Sequence, residues 1–168
     1  FEVSKNEVLG IYGLMGSGRT ELFESLFGLY PERAKADIYV NGQNVKIKHP
    51  CDAVSKGLAL IPEDRKRDGL VLCMSIKQNT SLASLLSCLK FGLLNKGLEN
   101  KCADDYREKL AIKSFSSEQL ACQLSGGNQQ KVVLSKWLLT HPKVLLLDEP
   151  TRGIDINAKN EIYKLMDT

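Results

Sequence analysis

Histidine and tryptophan are nearly absent from these 168 residues, with two and one respectively, and the five cysteines form no CxxC pair. His49 and His141 lie far apart in sequence, so metal-ligand spacing of the zinc kind is missing. Cys51, Cys73, Cys88, Cys102 and Cys122 are scattered and odd in number. That pattern excludes a disulfide framework and predicts reduced, mostly buried thiols in a cytoplasmic protein. No apolar run approaches the roughly 18 residues of a membrane span, and no secretory signal opens the chain. A strong charge of one sign is also lacking. Lys plus Arg number 23 against 20 Asp plus Glu, and the resulting +3 is too slight to argue for a nucleic-acid partner. What remains is ordinary globular composition, 43% apolar and 26% charged, at a one-domain length.

The apolar pattern alternates between strand and helix. Val8-Leu9-Gly10-Ile11-Tyr12 reads as a short buried strand ending at Gly13. Residues 20–27 read as a helix with Leu22, Phe23, Leu26 and Phe27 on its buried face and Gly28 at its end. Asn41-Gly42 between residues 38–40 and 45–47 predicts a hairpin. Pro50 can open a short helix that closes near Gly57, before an apolar strand over residues 58–61. The middle differs. Ser75-Ile76-Lys77-Gln78 has capping-box spacing, Gly92 and Gly97 bracket a loop, and residues 99–113 are helical with Cys102, Tyr106 and Leu110 in step. No strand is expected from about 75 to 140, so the reading is an all-helical insertion in an α/β domain. Residues 144–147 return to strand, and Asp155 or Asn157 can cap a last helix that turns Ile162, Leu165 and Met166 inward.

Three segments carry chemistry. Gly13-Leu14-Met15-Gly16-Ser17-Gly18-Arg19-Thr20 lies between predicted strand and helix. Glycines there let backbone N–H groups close on phosphate oxygens at a helix N-terminus, and Thr20 can offer its hydroxyl to Mg²⁺; a plain glycine-rich turn is the competing reading. Arg19 stands where lysine is usual, a planar fork in place of a compact ammonium. Residues 144–147 followed by Asp148 and Glu149 match a Walker B element: Asp148 would hold Mg²⁺ through water and Glu149 would polarise the attacking water. A strand ending in an acidic turn would look the same. Leu124-Ser125-Gly126-Gly127-Asn128-Gln129-Gln130-Lys131 offers a second anion site, with Ser125 capping a helix. A capped helix alone leaves Gly126-Gly127 unexplained, since interior glycine costs roughly 1 kcal/mol relative to alanine.

Taken in order, GLMGSGRT, LSGGNQQK and LLLDEPTRGID resemble the nucleotide-binding domain of ABC transporters over essentially the whole chain. GLMGSGRTEL, PEDRKRDGL and DEPTRGID together look like the second of two fused ATPase domains in bacterial importers of the ribose, xylose and galactose group. The resemblance implies a P-loop NTPase (RecA-like) core of residues 1–74 and 141–168, with an antiparallel hairpin and a helical subdomain of about 75–140. It implies ATP and Mg²⁺, phosphate cradling by Gly13, Gly16, Ser17, Gly18, Arg19 and Thr20, and Walker B roles for Asp148 and Glu149, with Glu149 catalytic. Ser125, Gly126 and Gly127 would meet the γ-phosphate of a nucleotide held by an opposing domain, and Asp155 would fall in the loop crossing that interface. Glu63 stands at the position of the family's Q-loop glutamine, where an acid could still bind Mg²⁺-linked water. The segment 63–68 then lies near a permease contact rather than being only a solvated loop.

The adenine-stacking aromatic would precede Phe1 and the switch histidine would follow Thr168. The chain therefore reads as a truncated domain, with the C-terminal part of the sheet missing and the sheet incomplete or rearranged. By resemblance its partners are a second ATPase domain, membrane permease subunits and a periplasmic or lipoprotein sugar-binding protein, at the inner face of the membrane. Two further readings stay open. One is a degenerate domain that binds nucleotide and supports its partner's site, which Arg19 and Glu63 favour. The other is a soluble ABC ATPase acting on ribosomes or DNA, which the mild charge and lack of a basic arm disfavour.

Overall fold

A computed structural model describes residues 1–14, 16–32 and 36–166, for residues 165 and 166 the backbone alone. Helix α1 (Arg19–Leu26) starts from Gly18 in the left-handed region, with no side-chain cap. It ends at Gly28, where Gly28 N–H donates to the Ser25 carbonyl (3.1 Å) and Leu29 N–H to that of Glu24 (2.9 Å). A side chain at Gly28 would also run into Ile47 Cγ2 at 2.8 Å, so both backbone and packing require glycine. Of the apolar face predicted for α1, Phe27 is buried and Leu22, Phe23 and Leu26 are half-buried.

Strands β1 (Ile38–Val40) and β2 (Gln43–Val45) pair antiparallel, Val40 opposite Gln43. Asn41 and Gly42 both take positive φ in a two-residue turn, so β2 starts at once, two residues ahead of the predicted second strand. Helix α2 (Pro50–Ser55) opens at Pro50, with Asp52 accepting from the backbone N–H of Lys48 and His49. Strand β3 (Leu58–Ile61) is buried throughout.

The strand predicted over residues 8–12 does not form: Val8 is 72% and Tyr12 94% exposed, and the segment is outside every ladder of the described residues. A lone extended segment gains nothing over hydration of its N–H and C=O groups.

The capping box is present as predicted. Ser75 Oγ accepts from Gln78 N–H (3.2 Å) and Gln78 Oε1 from Ser75 N–H (3.0 Å) at the start of helix α3 (Ile76–Ser81). Fully buried Asn79 on this helix exchanges hydrogen bonds with both backbone groups of Val71 and donates to the Ser75 carbonyl, fixing the crossing into the helical part. Short 3₁₀ turns over Leu82–Cys88 lead to strands β4 (Leu89–Lys90) and β5 (Leu93–Leu94). This hairpin corrects the all-helical reading of the insertion. Phe91 and Gly92, both at positive φ, make its turn, and the strands are too short to show a period of two.

Helix α4 (Lys96–Lys109) begins earlier than predicted, because Asn95 rather than a residue after Gly97 caps it, and it ends earlier because Ala111 turns left-handed. Helix α5 (Gly126–Leu138) is buried from Gln129 to Lys136 and acts as the central post. Strand β6 (Val144–Leu147) runs parallel to β3 with Ile61 opposite Leu147. Helix α6 (Ile156–Met166) closes the fold. Ile162 is fully buried on α6 as expected, while the predicted roles of Leu165 and Met166 lie outside the described side chains.

The parallel sheet thus has two strands among the described residues, which accords with the incomplete sheet expected. One core gathers Ile61, Ile76, Val132, Val133 and Ile162; a second gathers Phe27, Ala53, Leu58 and Leu60. Trp137 packs against both and meets Phe27 edge-on at 5.4 Å. The cysteines depart from expectation. Cys88 is buried and Cys102 half-buried, but Cys51, Cys73 and Cys122 are exposed, at positions set by loops and short-helix faces rather than by the core.

Lys136 is buried on α5. Its ammonium donates to the Gly69 carbonyl and lies 5.2 Å from the Trp137 ring centroid. Burial lowers its pKa from 10.5 to about 8. Between those values the unfolded chain binds a proton that the folded chain does not, so stability rises with pH across that window and is lost again as pH falls through about 8. Wild type should therefore gain on the order of 1–2 kcal/mol over Lys136→Met between about pH 7.5 and about pH 9.5, read from paired urea unfolding curves. Parallel pH profiles for the two proteins would contradict this.

Candidate functional site

The glycine-rich loop is shaped by its sequence. Gly16 and Gly18 sit at φ 79° and 85°, and Ser17 N–H closes a turn onto the Leu14 carbonyl at 3.0 Å. An added Cβ at Gly13 would lie 2.3 Å from Ser17 Oγ, so a side chain there would make the serine hydroxyl turn away. Met15 lies outside the described residues. Since no side chain caps α1, its first-turn N–H groups, with those of Arg19 and half-buried Thr20, present a positive end to an anion.

At the other end of the chain β6 delivers Asp148 and Glu149. Asp148 N–H extends the β3 pairing by bonding to the Ile61 carbonyl (3.0 Å), and Asp148 is only 5% exposed. Glu149 adopts φ 42°, a left-handed conformation that costs a non-glycine residue roughly 1–2 kcal/mol. That turn brings its carboxylate to Arg19: Nη2 donates to Oε1 at 3.1 Å, across 130 positions of sequence. Both side chains are partly exposed, so the pair contributes about 1 kcal/mol or less and yields readily to a competing phosphate.

Glu24, on α1, is a residue the sequence reading missed. Burial above all, and then the neighbouring Glu21, Asp68 and Asp148, hold its carboxyl above the usual range, with Arg67 opposing. The hydroxyl of Thr20 and the carboxylate of Asp148 are hard oxygen donors of the kind Mg²⁺ takes. Among the described residues, no three His, Cys, Asp or Glu side chains converge to hold a metal unaided. An ion here would need phosphate oxygens to complete its shell, the usual habit of Mg²⁺.

Glu63 is drawn elsewhere, into an ion pair with Arg152. Asp64 caps the single π-helical turn Arg65–Gly69 by accepting from the N–H groups of Lys66 and Arg67.

Ser125 occupies the N-cap position of α5 but makes no capping bond, contrary to the reading from sequence. Its hydroxyl instead accepts from Asn128 Nδ2 (2.9 Å), while Asn128 Oδ1 accepts from Lys113 N–H (2.8 Å). Asn128 thus satisfies another chain segment and occupies the serine. The two glycines have a steric reason that sequence could not show. A Cβ on Gly126 would meet Arg65 Nη2 at 2.8 Å, and one on Gly127 would meet Ala158 Cβ at 2.5 Å. Asp155, not Asn157, caps α6, accepting from Ala158 N–H at 2.9 Å. Among the described residues no hydrogen bond joins residues 125–127 to residues 13–20; the glycine pair faces Arg65 and α6 instead.

A glycine-rich loop at the head of a helix, met by the acidic end of a parallel strand and accompanied by a second glycine-bearing helix start, is the arrangement of a P-loop ATPase fold. The sequence profile of the ABC transporter family matches residues 1–152, and the chain belongs to that family. It is 55% identical over 164 residues to a ribose import ATP-binding protein of Rhodopirellula baltica, covering 98% of this chain and 32% of that protein. It is 51% identical over 166 residues to a xylose import ATP-binding protein of Geobacillus kaustophilus, covering 99% and 33%. The chain spans about a third of the length of the curated relatives it matches. A nucleotide-free ATP-binding cassette from an ABC transporter has the same fold, with a TM-score of 0.78 at 22% identity over 98% of this chain and 66% of that one. So does an ATP-binding cassette in a dimeric post-hydrolysis state bound to ADP and Pi, with a TM-score of 0.78 at 18% identity over 99% and 70%.

Proposed function

We propose that this chain is the ATP-hydrolysing domain of a bacterial sugar importer, coupling ATP binding and hydrolysis to uptake of a pentose such as ribose or xylose. The observation that carries the reading is the Arg19–Glu149 contact, which brings the phosphate loop and the acidic strand end into one site. The relatives named for ribose and xylose import supply the substrate class. In this reading Gly13, Gly16, Ser17, Gly18 and Arg19 hold the nucleotide phosphates, and Thr20 and Asp148, with Glu63 if freed from Arg152, would hold Mg²⁺, which when bound would supply charge neutralisation at the phosphates. Glu149 would accept the proton of the attacking water. Residues 1–74 and 141–168 form the catalytic core and residues of about 75–140 the helical subdomain.

The separation of residues 125–127 from the phosphate loop supports a head-to-tail pair, in which Ser125, Gly126, Gly127 and Asp155 complete a nucleotide site on a second ATPase domain. The dimeric ADP-bound cassette of the same fold is consistent with it. The partners are then membrane permease subunits and a periplasmic or lipoprotein sugar-binding protein, with the domain peripheral at the cytoplasmic face of the membrane. No helix among the described residues is long and apolar enough to cross a membrane.

The test is uptake of labelled ribose and xylose by cells carrying the full-length protein with its permease and binding protein. Uptake that disappears on deletion of the full-length protein supports the reading. Unchanged uptake of both sugars, with the protein sedimenting on ribosomes, would overturn it. A second reading rests on Arg19 and on the engagement of Glu63 by Arg152: a domain that binds nucleotide but leaves hydrolysis to its partner.

A further inference from the structure

Three segments distant in sequence meet at one guanidinium. Arg65, at the start of the π-helical turn after β3, donates from Nη1 to the Arg152 carbonyl (2.7 Å) and from Nη2 to the Gly153 carbonyl (3.1 Å). The same group lies across the start of α5, so close to Gly126 that a Cβ there would be 2.8 Å from Nη2. Gly153 turns with φ +64° beneath it, where an added Cβ would lie 3.6 Å from Nη1. Arg65 Nε is shut off from solvent without a partner, so the side chain is gripped along its length rather than waving from the surface. Arg152 and Gly153 are themselves exposed. From the turn 63–65 they receive the forked pair of bonds from Arg65 and the ion pair of Arg152 with Glu63. Two carbonyls on adjacent residues suit a planar fork, whereas an ammonium is a point donor.

We propose that Arg65 is a positioning residue that clamps the loop 152–155 onto the start of α5, presenting residues 125–127 and Asp155 as one rigid surface to the nucleotide of an opposing ATPase domain. This rests on the reading that residues 125–127 serve a nucleotide held across an interface. Its consequence is a division of effects within one chain. Arg65 makes no bond to the phosphate loop, and its only link to Glu149 is indirect, through Arg152, whose N–H donates to the Glu149 carbonyl at 2.9 Å. Losing the clamp therefore leaves the groups that hold ATP in this domain in place. It loosens the surface that completes the other site, and a displacement of about 1 Å can cost a reaction roughly a hundredfold.

The experiment uses the full-length protein with its permease, and compares Arg65→Ala, Arg65→Lys and Ser125→Arg with wild type. It reads kcat and KM for ATP hydrolysis, nucleotide affinity by titration and the thermal midpoint. Arg65→Ala is expected to lower kcat about 10- to 100-fold, with affinity within about twofold of wild type. Arg65→Lys, which keeps the charge and folds more safely, is expected to fall between the two, because it restores one bond of the pair. Wild-type kcat in both Arg65 variants overturns the clamp, and so does a loss of nucleotide affinity in step with the thermal midpoint, which marks general destabilisation. Ser125→Arg separates the premise from the inference. If it leaves turnover intact, residues 125–127 do not serve a nucleotide and the reading beneath fails. If it abolishes turnover while the Arg65 variants stay normal, only the clamp fails.

Discussion

Replacing Glu149 by glutamine in the full-length protein is expected to lower ATP turnover roughly 10²–10⁴-fold, the range associated with a positioned general base. The substitution is nearly isosteric. Its amide oxygen can still accept from Arg19, so the 3.1 Å contact and the left-handed turn that delivers it need not change. What glutamine cannot do is take a proton from water. ATP affinity should therefore persist while phosphate release collapses, a combination read by pairing nucleotide titration with a phosphate-release assay. Near-normal turnover in this variant would assign hydrolysis to the partner domain, as the second reading holds.

Arg19→Ala is expected to weaken Mg²⁺-ATP binding by roughly 10- to 100-fold, because a charge-assisted hydrogen bond is worth about 1.5–3 kcal/mol and each 1.4 kcal/mol is a factor of ten. Arg19 is half-exposed and its present partner is the still more exposed Glu149. Releasing that partner costs about 1 kcal/mol or less, so phosphate wins the guanidinium and the folded state hardly notices the change. Unaltered affinity, measured by calorimetric titration, would remove Arg19 from the phosphate site. Arg19→Lys should retain binding, since a compact ammonium keeps the charge where the fork now stands.

Much of this architecture follows from local chemistry legible in one sequence. Asn41-Gly42 specifies a two-residue turn by its conformational tolerance, and Ser75 with Gln78 marks a helix start, because each satisfies a need three residues or fewer away. The strand at residues 58–61 is equally legible from its unbroken apolar run. Failures arise where the deciding partner is remote. Residues 8–12 have strand composition but find no strand to pair with among the described residues. Ser125 is a good capping residue whose hydroxyl is claimed by Asn128, itself held by Lys113. Gly126 and Gly127 stand out in sequence, yet their steric cause lies in Arg65 and Ala158, 61 and 31 positions away. The motifs were legible; their mutual placement was not, since it depends on contacts such as Arg19 with Glu149 that no periodicity encodes.

The indole of Trp137 joins the two cores and touches Phe27 at the foot of the phosphate-loop helix. It is also the chain's single tryptophan. The domain therefore carries one indole, the fluorophore that can be excited apart from its five tyrosines, at the joint between the helix that would hold nucleotide and the post that would face a second domain. Any shift of one against the other changes the surroundings of that indole.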